Sequence, residues 1–93
     1  MRDQAIAFEC AREVITDWMA IYSGRISHES AKSLPDTNLI AELRANRSKL
    51  ADERATLRVG DQSDIARIRK EYGAAVRAWR GSNSKVIYAG PYV

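Results

Sequence analysis

Few residues in this chain have types and spacing suited to covalent or acid–base chemistry. His28 is the only histidine and stands beside Ser27, Glu29 and Ser30. A Ser–His–acid relay needs three groups brought to hydrogen-bond reach, which one short stretch does not show. His28 is therefore read as an exposed loop histidine. Cys10 is the only cysteine, and it lies on the apolar side of the first predicted helix. There a thiol usually behaves as a small hydrophobe. A lone cysteine excludes an internal disulfide, and one cysteine with one histidine argues against a structural zinc site. The carboxylate pair Asp52-Glu53 is read as lying on a solvated helix with no visible cleft. No GxxxxGK[ST], GxGxxG or HExxH pattern is present. The expectation is a protein without catalytic residues, cofactor or metal.

The other candidate chemistry is recognition. Eight cations sit on the flanks of two predicted helices: Arg44, Arg47, Arg54 and Arg58 on one, and Arg69, Lys70, Arg77 and Arg80 on the other. With about 100° per residue, each set falls on the same flank of its helix's apolar seam. Glu42 and Glu53, and Asp64 and Glu71, fall on the opposite flanks. In an antiparallel pair with facing seams, like flanks meet, so a basic edge and an acidic edge follow. Arginine forks match phosphate and carboxylate, which makes the basic edge a candidate surface for an acidic protein or nucleic acid. The bland alternative is a solvated edge whose aliphatic stems shield the leucines.

Three amphipathic helices must position these groups. In the first, from about 3 to 22, Phe8, Ala11, Ile15, Trp18 and Tyr22 recur at steps of three and four. Val14, Cys10 and Ile21 widen that face, so it can touch two neighbours. Its outer face is acidic, with Glu9, Glu13 and Asp17. Because the apolar side must turn inward, the first helix looks poorly placed to neutralise the basic edge. Ser23-Gly24 is the expected stop, and 25–33 reads as a loop or a short helical turn. Ser33-Leu34-Pro35-Asp36 has the form of a capping box.

The second helix is expected over 34–59, with Leu43, Leu50 and Leu57 every seven residues along a narrow seam. Gly60-Asp61 makes a short turn that forces an antiparallel neighbour. The third helix is expected over 62–80 on Ile65, Ile68, Tyr72, Ala75 and Trp79. Gly73 inside it suggests close approach of a neighbouring backbone. Gly81 is the expected stop, followed by an apolar, β-prone tail over 82–93. That tail could pack on the bundle, pair with a partner or hang free. Trp79-Arg80-Gly81 is similar to the Trp-x-Gly turn of small secreted helical-hairpin proteins. There the turn joins two helices and here it ends the third, so it assigns no family.

Length and charge bound the reading. Ninety-three residues leave room for one domain. Hydrophobic content of 45% and charged content of 29% are those of a folded chain. No apolar run is long enough to span a membrane, and no signal-peptide pattern opens the chain. The formal charge of +3 is unevenly spread: residues 1–33 carry −1, residues 34–60 carry +1 and residues 61–93 carry +3. The sequence therefore predicts an all-α three-helix bundle built on an antiparallel hairpin, with the N-terminal helix packed across it. The expected function is that of a small cytoplasmic adaptor, inhibitor or regulator. Its partner is expected to be a protein, a second copy of the chain among the candidates. Nucleic-acid binding through the basic edge is the alternative.

Overall fold

A computed structural model describes residues 2–89, with side chains through Ser82. The described residues form three helices: α1 (Arg2–Ser30), α2 (Thr37–Thr56) and α3 (Gln62–Ala89). The fold is the expected all-α bundle, with α1 packed against both later helices. No described helix is long and apolar enough to cross a membrane. Side-chain contacts fix the directions. Arg54 meets Thr16 and Arg47 meets Ser23, so α2 runs antiparallel to α1. Arg80 meets Asp17, and Asp3 and Ala7 lie against Ile65 and Arg69, so α3 runs parallel to α1.

One detail of the hairpin differs from the expectation. The seams of α2 and α3 do not face each other, because the two backbones make no close approach and α1 lies against both. The reason is the width of the apolar face of α1. A broad arc buries more surface by receiving two narrow seams than by covering a closed pair. Ala11 and Ile15 of α1 are fully buried and pack with Leu50 and Leu57 of α2 and Ile65 and Ile68 of α3. Phe8, Val14, Trp18, Tyr22 and Tyr72 close around this core.

The helix ends also need correction. α1 runs through Ser23-Gly24 to Ser30. No described glycine has a positive φ, so Gly24 carries no stop geometry. Continuing costs up to ~1 kcal/mol at that glycine. Burial of Ile26 offsets it, as does the anchoring of Glu29, whose Oε2 accepts the Asp36 N–H at 3.0 Å. His28 is accordingly a helical residue, though exposed as expected.

α2 starts three residues later than the capping box suggested. Asp36 is the N-cap, and its Oδ1 accepts the Leu39 N–H at 3.0 Å. Pro35 disfavours helical geometry at Leu34, which excludes the earlier start. The second half of a capping box, a carboxylate that accepts the N-cap N–H, is supplied across the loop by Glu29.

At the other end, α2 stops at Thr56 rather than Val59. Asp61 does not cap α3 with its side chain, because its Oδ2 accepts the Arg58 N–H at 2.9 Å and locks the turn. α3 continues past Gly81 to Ala89, so 82–89 is helical backbone rather than extended tail. Residues 90–93 of the expected tail lie outside the described residues. The close neighbour expected at Gly73 is absent too: a Cβ there would meet only the Arg77 guanidinium, 3.2 Å away on the same helix.

Candidate interaction surface

The fold sorts the eight flank cations into two groups. Three turn to α1. Arg47 donates to Ser23 Oγ and Arg54 to Thr16 Oγ1, each at 3.0 Å, and Arg80 lies 3.6 Å from Asp17. Thr16 and Ser23 are seven residues apart on α1, as Arg47 and Arg54 are on α2, so two antiparallel helices present matching pairs. The flank that carries these arginines thus lies beside the acidic outer face of α1. That helix supplies neutral hydroxyl acceptors for Arg47 and Arg54 and a carboxylate only for Arg80, so it neutralises one of the three. A wide-arc helix between two neighbours turns only the middle of its polar face to solvent. The borders of that face meet the flanking side chains.

The second group is Arg44, Arg58, Arg69, Lys70 and Arg77. These side chains are exposed, with neither an ion pair nor a side-chain hydrogen bond among the described residues. Arg44 lies on α2, Arg58 in the turn that follows it, and the other three on α3. Between the two subsets runs α1 with Glu9 and Glu13 exposed. A groove of about 430 Å³ beside them is lined by Glu9, Arg12, Glu13, Thr16, Asp17 and Arg54. The exposed cations therefore form two separated strips flanking an acidic one, rather than one continuous edge.

On the opposite side of the molecule α2 and α3 meet through a polar junction that sequence reasoning missed. Glu53 Oε1 accepts the Tyr72 hydroxyl at 2.6 Å, and Oε2 accepts Arg67 Nη2 at 2.5 Å. Glu53 is half-buried, not a solvated carboxylate as its place beside Asp52 suggested. Burial and the bond to Glu53 raise the Tyr72 pKa, and Tyr72 and Glu53 hold Arg67 firmly protonated. The Arg67 guanidinium also lies 5.6 Å from the Tyr72 ring centroid. A sequence signal for this junction existed in the acidic flank of α2, but Arg67 lies off the apolar face of α3, where periodicity gives it no partner.

The aromatic residues are mainly structural. Trp18 and Tyr22 meet edge to face at 5.1 Å, and Arg25 bridges the Tyr22 and Trp79 rings at 5.8 and 5.1 Å. His28 borders a groove of about 490 Å³ with Arg25, Leu39, Leu43 and Trp79. Cys10 is a free, half-buried thiol on the outer side of α1, not a core residue. No group of three metal-ligating side chains occurs among the described residues. No protein-family model matches the chain, and no curated protein or solved structure does.

Proposed function

We propose that this chain is a small cytoplasmic interaction protein, an adaptor, inhibitor or regulator that acts by binding another protein. The supporting observation is surface left uncovered. The radius of gyration is 15.5 Å and the extents are 50 × 33 × 14 Å, against about 12 Å for a compact domain of this length. The accessible area is 6704 Å², where about 5,400 Å² is typical of a folded monomer of this mass. A flattened domain with this much open surface is what a binding module presents before it meets its partner.

Nucleic-acid binding is the second reading, favoured by Arg44, Arg58, Arg69, Lys70 and Arg77, which are exposed and have no side-chain partner among the described residues. The acidic strip of α1 between them makes a continuous phosphate track less suitable than a protein surface of mixed charge. Binding to duplex and single-stranded DNA and RNA over a salt series separates the two. We expect no binding at low salt. We also expect a protein retained by the immobilised chain to be released by Arg44→Glu or Arg58→Glu. Affinity for nucleic acid that falls steeply with salt and is abolished by Arg77→Glu would reverse the order of the two readings.

A further inference from the structure

The groove between the first halves of α1 and α3 has walls of opposite charge. It holds about 320 Å³, and Ala7, Val59, Ile65 and Ala66 line it between Asp3 and Arg69. Ile6 and Cys10 continue the α1 wall outward, with Glu9 and Glu13 beside them. Ile6 is 56% exposed and Val59 46%. On α3, taking Ile65 as zero, Ala66, Lys70, Gly73 and Arg77 fall within one strip between about 80° and 140°. Arg69 and Arg80, nearer the seam, turn toward α1, so this strip opens on the same side of the molecule as the outer face of α1. The face thus joins an acidic helix and a basic helix over an apolar floor.

We propose that this face binds a second copy of the chain about a two-fold axis parallel to the helices, so that Glu9 and Glu13 of each α1 lie over Lys70 and Arg77 of the other α3. A two-fold contact must be self-complementary, and the charges select the axis. An axis across the helices sets α1 on α1 and carboxylates against carboxylates. An axis along them sets α1 on α3 twice and keeps every residue at its own height. Because α1 and α3 are parallel, the Glu9–Glu13 turn then stands level with Lys70. The small, exposed Ala66 leaves room in the α3 strip for the incoming helix, while the Arg77 guanidinium covers the buried Gly73. This inference is independent of which other protein the chain binds.

The test is a charge exchange followed by light scattering over a micromolar concentration series, with circular dichroism to verify folding. The unaltered chain is expected at the mass of two copies. Lys70→Glu with Arg77→Glu places acid over acid, and Glu9→Lys with Glu13→Lys places base over base. Each double variant alone is expected to dissociate at least about tenfold more readily. An equimolar mixture of the two restores both complementary contacts and is expected to regain the dimer. A bismaleimide linker on Cys10, the only cysteine, should capture that dimer. A monomeric unaltered chain, a different stoichiometry, a dimer indifferent to either double variant, or a mixture that stays monomeric would each overturn the proposal.

Discussion

The Tyr72 hydroxyl donates to Glu53 Oε1 at 2.6 Å, and this bond, with its neighbour from Arg67, joins α3 to α2. The two backbones do not otherwise approach. Removing the hydroxyl by Tyr72→Phe leaves the carboxylate one donor short and should cost about 1 kcal/mol. Glu53→Ala strands both donors and should cost more, about 2 kcal/mol, because Tyr72 and Arg67 then lose an acceptor in a half-buried place. Urea unfolding of the two variants checks the order. Equal losses would mean that Arg67 draws nothing from the pairing.

Helical glycines without a steric need are a reserve of stability. A Cβ at Gly24 would meet nothing within 4 Å, and its φ is not positive. Gly24→Ala should therefore stabilise the fold by up to ~1 kcal/mol through helix propensity. Gly73→Ala should gain less, because its Cβ would displace the Arg77 guanidinium from 3.2 Å. Thermal unfolding by circular dichroism reads both, and a lower midpoint for Gly24→Ala would show that α1 bends there.

Acid should loosen the α1–α2 connection first. Hydrogen bonding by Lys32, then by the Asp36 N–H, holds the Glu29 carboxyl below the usual glutamate range. A depressed folded-state pKa gives stability that is present above the unfolded value and is lost as pH falls through the folded one. The loss should therefore begin near pH 4 and grow below it. Glu29→Gln should flatten this part of the stability profile while lowering stability at neutral pH. The profile at high pH has the opposite sign. Tyr72 is raised, so its contribution is intact below about pH 10 and declines above it, and Tyr72→Phe should remove that decline.

The sequence by itself determined what repeats locally. Apolar residues at three- and four-residue steps fixed three helices and most of the core, from Ala11 and Ile15 to Leu43, Leu50, Leu57, Ile65 and Ile68. Helix ends were less legible. Gly24 and Gly81 read as stops, yet a glycine ends a helix only when it takes a left-handed conformation, and tertiary burial decides that. The flank cations were visible as a pattern on each helix, because 100° per residue is a local rule.

Their partners were not visible. The position of α1 between the two later helices gave Arg47 to Ser23, Arg54 to Thr16 and Arg80 to Asp17, and left Lys70 and Arg77 open. Local periodicity states which side of a helix is apolar. Which helix takes the central place is settled only when all three faces compete to bury their area, and that competition belongs to the tertiary structure.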